Sequence, residues 1–275
     1  MRVLVTGTEG FIGRNLKTEL EKQGWEVVTF EERDLKDNWK LDLNEIFALK
    51  LDACFHVGAC SDTLEQDVNY MMLLNYEVTK YLTDLCKQYQ VKLIYSSSAA
   101  NYGTNKEHPA NLYGWSKYAG ESYVISNGGI ALRYFNVYGP GEEDKGRMAS
   151  VAYQMFKRHQ AGEEVKLFRN KPLRDFVYIK DVVSANIFAF KNGSKAFVDD
   201  LWGNWFEVGS GQAREFEEKM EIMDIPYKYH PEEKIPKGYQ YFTCSDRGKW
   251  MPNWRPEFQL EDGLQDYLNY LHETN

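Results

Sequence analysis

The amino-acid sequence predicts an α/β fold: a doubly wound parallel sheet followed by a smaller C-terminal lobe. Three observations predict it. Short β-branched apolar runs alternate with helix-length stretches across the first half. Three glycines, Gly7, Gly10 and Gly13, stand between the first run and the first helix. After Pro140 the texture changes to charged residues, two glycines and shorter runs. Strands alternating with helices imply βαβ units, and those imply parallel pairing.

The elements follow in order. Residues 2–6 are a strand, and Phe11 to about Gln23 a helix that Gly24 ends. Trp25–Phe30 is a second strand and Asp52–Val57 a third, with a short connector between them. Residues 64–89 carry apolar residues at helical spacing and predict one long helix. Val91–Tyr95 is a fourth strand, residues 113–126 a helix, and Ile130–Tyr134 a fifth strand. Beyond the charged stretch come a helix near 148–161, strands near 165–168 and 175–179, and a helix from Lys180. A strand over 205–208 and a last helix over 260–273 complete the pattern. The expected domains are 1–135, a nucleotide-binding unit, and 136–275, a lobe with segments near 175–210 returning to the main sheet.

A chain of 275 residues, 43% hydrophobic, can bury a sizeable core. Its net charge of −8 argues against a nucleic acid or an anionic membrane surface as partner. A local basic pocket for a small anion is compatible with it. Cys54, Cys60, Cys86 and Cys244 form no C-x-x-C pair and read as reduced thiols, not metal ligands. Met1 leads directly into a strand, and no apolar run approaches the ~20 residues of a membrane span. A soluble, cytoplasmic protein without a metal site is the expectation.

The segment Thr6-Gly7-Thr8-Glu9-Gly10-Phe11-Ile12-Gly13 joins the first strand to the first helix. Glycines at this spacing permit a tight turn, close approach of backbone to a pyrophosphate, and packing of helix on strand. The helix N-terminus adds free amides and partial positive charge. This context marks a Rossmann-type dinucleotide site. Glu31, at the end of the second strand, can accept from ribose hydroxyls and would repel a 2′-phosphate, which favours NAD. Arg33 could offset that repulsion, and Glu31-Glu32-Arg33 can also be an ordinary solvated loop. Asp42 falls where an adenine contact is expected.

Tyr113-Gly114-Trp115-Ser116-Lys117 opens a helix, so Tyr113 and Lys117 share a face. A free phenol titrates near ~10, and a neighbouring ammonium would lower that value. The pair therefore suits interconversion of a hydroxyl and a ketone beside a nicotinamide. Ser97 and Ser98 end the fourth strand, where ligands of such sheets bind.

These residues resemble the extended short-chain dehydrogenase/reductases, the nucleotide-sugar epimerases and dehydratases. Longer stretches are similar to one branch: 56–61, 70–76, 95–103, 133–140, 145–151 and 174–178. Together they resemble the ADP-L-glycero-D-manno-heptose 6-epimerase family, the Lys-Gly-x-Met-Ala-Ser-Val segment at Lys145 most specifically. The resemblance implies epimerisation at C6 of an ADP-heptose by transient oxidation with a tightly bound cofactor, NADP being the family expectation. It implies catalytic roles for Tyr113, Lys117, Ser98 and Lys145, the last as an acid/base opposite Tyr113. It implies cofactor contacts at Phe11, Ile12, Gly58, Ala59, Cys60, Ser61 and Asn75, beside Gly7, Gly10, Gly13, Glu31, Glu32, Asp42 and Lys117. It implies sugar-nucleotide contacts at Asn136, Arg147, Phe168, Arg174 and Tyr239, and a homo-oligomer. Arg174 suits a pyrophosphate clamp, or a salt bridge with Asp175.

The chain departs from the family pattern in places. The connector after the second strand and the loop 102–113 are short, and Arg147 stands where a small residue is usual. The alternative reading is another nucleotide-sugar 4-epimerase or dehydratase, the dehydratase being disfavoured because Ala99-Ala100 stands where its Asp-Glu pair is normal. Glu142, Glu143 and Asp144 precede Lys145, and acids there are expected to raise its pKa and keep it charged.

Overall fold

The computed structural model describes residues 1–104, 107–196, 204–231 and 240–274. β1 (Arg2–Thr6), β2 (Glu26–Phe30), β3 (Ala53–His56), β4 (Lys92–Ser98), β5 (Ile130–Tyr134) and β9 (Trp205–Val208) form one parallel sheet in the order β2-β1-β3-β4-β5-β9. The register sets Thr6 beside both Phe30 and His56, so three strand ends finish level. The chain runs outward from β1 to β2, then crosses to β3 on β1's other side. The winding therefore reverses between β1 and β3, and the crevice beyond their C-terminal ends is where such sheets bind ligands.

Side chains alternate across the strands. Leu4, Cys54, Leu93 and Tyr95 pack with Leu43 and Phe47 of α2 (Trp39–Phe47) and with Leu82 and Leu85 of α4 (Val78–Tyr89). Val3, Val5, Phe55 and Leu132 pack with Leu16 and Leu20 of α1 (Phe11–Lys22) and with Val182 and Ala185 of α7 (Ile179–Ala196). With both faces covered, the strands are near-continuous apolar runs, as parallel sheets require.

Two expectations change. The connector between β2 and β3 contains α2, whose nine residues are too short to give a clear periodic signal. The long helix expected over 64–89 begins only at Val68, where Asp67 caps it by accepting from the Tyr70 amide at 3.1 Å. It runs as α3 (Val68–Met72), a π-turn over Leu73–Glu77, and α4. A π-turn inserts one residue without breaking the apolar periodicity, so the sequence pattern does not reveal it.

The second half adds a three-stranded sheet of β6 (Asn136–Tyr138), β8 (Leu173–Tyr178) and β10 (Ala213–Glu215). β7 (Val165–Leu167) pairs with β11 (Tyr227–Tyr229). α5 (Leu112–Ser126) packs on β4, while α6 (Val151–Gln160), α8 (Phe216–Ile222) and α9 (Leu260–Thr274) gather around the smaller sheets. Within 175–210, β9 adds the sixth strand of the main sheet, whereas β8 pairs with β6 and β10 outside it. Among the described residues, no helix is long and apolar enough to cross a membrane.

Candidate active site in the cleft at the sheet switch point

A cleft of about 600 Å³ opens beyond the ends of β1, β3 and β4. Gly7, Gly10, Phe11, Ile12 and Gly13 line one wall and Gly58, Ala59, Cys60 and Ser61 the next. Tyr113, Lys117 and Lys145 reach the same space. Gly7 adopts φ +71°, and a Cβ there would fall 2.5 Å from the Gly58 Cα. A Cβ on Gly13 would meet the Gly7 carbonyl oxygen at 2.1 Å. The loop is thus bare backbone. α1 starts at Gly10 with no side-chain cap, so its first amides stay available, whereas Asn111 caps α5 and Ser150 caps α6. This cradle fits a dinucleotide pyrophosphate.

Glu31 is buried, and one carboxylate oxygen accepts from the Thr8 amide and hydroxyl at 2.8 and 2.6 Å. The side chain also accepts from the Asp34 amide, and its second oxygen has a long contact, 3.4 Å, with the Glu9 amide. Glu31 therefore ties the glycine loop to β2 and keeps acceptor capacity beside the cleft. Arg33 pairs with Glu9, which offsets the charge the sequence offered to a 2′-phosphate. Glu32 lines the cleft and accepts from the Tyr70 hydroxyl at 2.7 Å. Asp42 does not line it. It stands exposed on the first turn of α2, and Leu35 takes the lining position.

Behind this wall runs a proton-ordered chain. The Thr6 hydroxyl oxygen accepts from the Val57 and Gly58 amides at 3.1 and 2.9 Å, so its own proton goes to His56 Nδ1 at 2.8 Å. Thr79 donates to the Asn75 carbonyl at 2.9 Å, so it accepts from His56 Nε2–H at 2.8 Å. Burial, aided by the Lys117 charge, pushes His56 down to about 3, so it stays neutral. Asn75 does not line the cleft. From the π-turn its side chain accepts from the Cys60 amide at 2.8 Å and donates to the Cys60 carbonyl at 3.0 Å, holding the β3 loop from behind. The sequence predicts a cofactor contact at Asn75; the side chain instead holds Cys60, 15 residues away, and donates to Ser116 at 2.9 Å.

α5 lies close on β4: a Cβ on Gly120 would meet the Tyr95 hydroxyl at 2.7 Å and the Asn75 carbonyl at 2.9 Å. This contact sets Tyr113 and Lys117 at the strand end. The structure separates the two serines. Ser98 hydrogen-bonds the Tyr113 hydroxyl but is not among the residues that line the cleft, while Ser97 lines it and donates to Glu121 at 2.6 Å. Glu121 is buried and pairs with Arg133, whose guanidinium lies 3.8 Å over the Trp205 ring. Lys117 is buried with its ammonium 4.3 Å from the Tyr95 ring centroid. Burial pushes Lys117 down to about 7, with Glu121 opposing. Burial also pushes the Tyr113 phenol up, opposed by the Ser98 hydrogen bond. The expected lowering of the phenol by an adjacent ammonium does not arise; burial raises the phenol instead.

Lys145 lies on a short helical stretch, Glu143–Met148, kinked at Gly146, with its ammonium 5.4 Å from the Phe11 ring centroid. The acids before it face elsewhere. Asp144 pairs with Arg14 at 2.8 Å, and Glu142 turns inward to accept from Gly139 and Ser150. Burial therefore pushes the Lys145 amine down, against the remaining pull of Glu142. This corrects the expectation that its acidic neighbours raise it. Arg147 lines the cleft and pairs with Asp62 at 2.5 Å, joining this turn to the β3 loop.

A sequence profile of the NAD dependent epimerase/dehydratase family matches residues 3–200. The chain is 34% identical, over 99% of its length and 98% of the relative's, to an ADP-L-glycero-D-manno-heptose-6-epimerase of Brachyspira hyodysenteriae. The chain belongs to the NAD dependent epimerase/dehydratase family. The crystal structure of the Helicobacter pylori ADP-L-glycero-D-manno-heptose-6-epimerase superposes with a TM-score of 0.82 at 30% identity, covering 98% of this chain and 96% of that one. A UDP-glucose 4-epimerase from Thermotoga maritima superposes with the same TM-score of 0.82 at 27% identity, covering 100% and 99%.

The family is NAD dependent, and the glycine-lined wall has the shape that a dinucleotide fits. Of the other residues expected toward a sugar nucleotide, Asn136 and Arg174 lie on the three-stranded sheet and Phe168 follows β7. Asn136 is exposed and donates to the Asp175 carbonyl at 3.1 Å and to Thr243 at 3.2 Å. Arg174 is buried on β8 and donates to the Leu173 carbonyl at 2.9 Å and to that of Gln240. Asp175 does not serve it as an ion partner. Its carboxylate accepts from Ser210, Gly211 and Ser245 amides at 2.7, 3.0 and 2.8 Å, gathering two loops that sequence reasoning could not connect. Phe168 stacks on His230 with centroids 5.6 Å apart. Tyr239 lies outside the described residues.

Proposed function

We propose that the protein interconverts ADP-D-glycero-D-manno-heptose and ADP-L-glycero-D-manno-heptose by inverting C6. The observation that carries this reading is the presence of Tyr113 and Lys145 in one cleft, on different elements, beside the cofactor wall. Inversion through a ketone needs an acid/base on each face of the carbon. Tyr113, held protonated by burial, can give a proton, and Lys145, its amine lowered by burial, can be neutral and take one. The bound nicotinamide supplies reversible hydride acceptance, so C6 loses and regains a hydride without net oxidation. Tyr113 and Lys145 hold the sugar-oxygen proton in the two halves of the reaction, Ser98 orients the oxygen, and Lys117 sets the charge near Tyr113.

The cofactor is proposed to be NAD. Glu31 keeps a carboxylate at the end of β2, and Arg33 is already paired with Glu9. The same reading places Asn136, Phe168, Arg174 and Tyr239 toward the sugar nucleotide, and Arg147 at the cleft mouth. Exposed Trp115 and Tyr118 on α5 support a homo-oligomer, checked by light scattering. A cytoplasmic setting suits the four free thiols.

The test is incubation with ADP-D-glycero-D-manno-heptose, following C6 stereochemistry by NMR with NAD or NADP added. Inversion is expected, and no turnover with either cofactor overturns the reading. The similarity to a UDP-glucose 4-epimerase keeps a second reading open. Full activity of Lys145→Ala would favour that 4-epimerase.

A further inference from the structure

We infer that Glu142 is a positioning residue that holds Lys145 in the cleft, with Lys219 of α8 as its buried counter-charge. The inference rests on the proposed role of Lys145. Glu142 is completely buried at the entrance to the Lys145 turn, an unusual place for a carboxylate. One oxygen accepts from the Gly139 amide at 3.2 Å and the Ser150 hydroxyl at 2.8 Å, and the other accepts from the Ser150 amide. The side chain thus pins both ends of the loop 139–150. Its own carbonyl accepts from the Lys145 amide at 3.0 Å. Gly139, Gly141 and Gly146 all have positive φ, so the loop has little backbone stiffness of its own.

The charge of this clamp is shared. Lys219 is fully buried, its ammonium 3.6 Å from the Phe176 ring centroid and 4.6 Å from that of Tyr138. Glu142 is the acid that acts on it and also on Lys145. The Tyr138 ring packs against Lys219, Tyr153 and Tyr267 feel both Glu142 and its neighbour Glu143, and burial holds all three phenols protonated. One carboxylate therefore faces two lysines, one inside the lobe and one in the cleft. An apolar residue of the same size could fill the space but could not tie Gly139 to Ser150.

The experiment compares Glu142→Gln, Lys219→Met and Lys145→Met holoenzymes, each checked for bound nicotinamide. ADP-D-glycero-D-manno-heptose is the substrate, and kcat and KM are followed against pH. Glu142→Gln should lower kcat at least tenfold (~10-fold) with KM little changed, because the contact matters in the transition state. It should also move the lysine limb of the kcat profile to lower pH. Lys219→Met, which removes a positive charge facing the same carboxylate, should move that limb to higher pH. A fold defect alone would give no opposed shifts. Wild-type kcat and pH profile in Glu142→Gln, with Lys145→Met inactive, overturns the inference. Full activity of Lys145→Met overturns instead the role of Lys145 itself. Should Glu142→Gln fail to fold, an unshifted limb in Lys219→Met overturns the inference on its own.

Discussion

Arg133 of β5 and Glu121 of α5 form a buried two-point ion pair beneath the serines that end β4, with Arg133 Nε 2.9 and 3.1 Å from the two carboxylate oxygens. The same carboxylate accepts from Ser97 at 2.6 Å and Asn101 at 3.0 Å. Removing the acid alone strands a buried guanidinium. Glu121→Ala should therefore destabilise by about 3–5 kcal/mol, read from urea unfolding. Adding Arg133→Met should recover part of that loss, since the two groups are coupled. Equal stability of single and double variants would show that the pair is not the source of the effect.

Arg147 and Asp62 join the Lys145 turn to the β3 loop across the mouth of the cleft. Arg147 is largely exposed, so the pair adds little to folding. Arg147→Ala should leave the unfolding midpoint nearly unchanged. Bound cofactor should leave faster, by up to about tenfold, the equivalent of ~1.4 kcal/mol. Raising salt to ~1 M, where charges are screened beyond ~3 Å, should speed release from the parent protein and not from the variant. Stopped-flow displacement of the cofactor measures both.

Tyr113→Phe should lower kcat by about 10²–10⁴ while leaving cofactor binding near normal, because only the proton is removed. Lys145→Met should act on the opposite half of the reaction with a similar loss. Transfer of label from C6 deuterated substrate to the bound cofactor separates them. If both variants accumulate the same half-reaction product, the two-sided arrangement is wrong.

Buried Lys117 and Lys219 are each pushed to about 7, against an unfolded value near ~10.4. Below pH 7 both are protonated in the folded and the unfolded chain, and the full cost of burying charge is felt. Above it the unfolded chain holds protons that the folded chain has released. Stability should therefore rise from pH 7 to ~8.5, before thiols in the unfolded chain begin to ionise. The gap between the parent protein and Lys219→Met in urea unfolding should narrow across that interval. A constant gap would mean that Lys219 keeps its proton in the fold.

Much of the cofactor wall was legible in the sequence because its cause is local. A strand, three glycines and a helix follow one another directly, and Tyr113 and Lys117 are one helical turn apart. What was not legible depends on distance along the chain. Glu142 and Asp144 adjoin Lys145 in sequence, yet they turn to Ser150 and Arg14, and the pull that Glu142 keeps on the amine is outweighed by burial. Asp175 stands beside Arg174 but serves residues 35 to 70 positions away. Neither arrangement leaves a periodic mark. Asp42 went astray because α2 places it on the solvent face of a helix that the connector did not advertise.

The relay through His56 makes a further demand on one hydroxyl. Thr79 takes the His56 Nε2 proton and gives its own to the Asn75 carbonyl in the π-turn. Thr79→Val keeps the shape and removes both bonds. A buried imidazole N–H left unpaired costs ~1–3 kcal/mol, and His56 cannot escape by shedding charge because it is already neutral. The Asn75 carbonyl loses a donor in the same step, so the residue that clasps both backbone groups of Cys60 is held less firmly. Cofactor affinity should then fall together with stability, although Thr79 does not line the cleft. Thr79→Ser, which restores the hydroxyl, should recover both. Calorimetric cofactor binding with parallel urea unfolding reads the two effects. Lost stability with unchanged affinity in Thr79→Val would mean that Asn75 holds Cys60 without help from the relay.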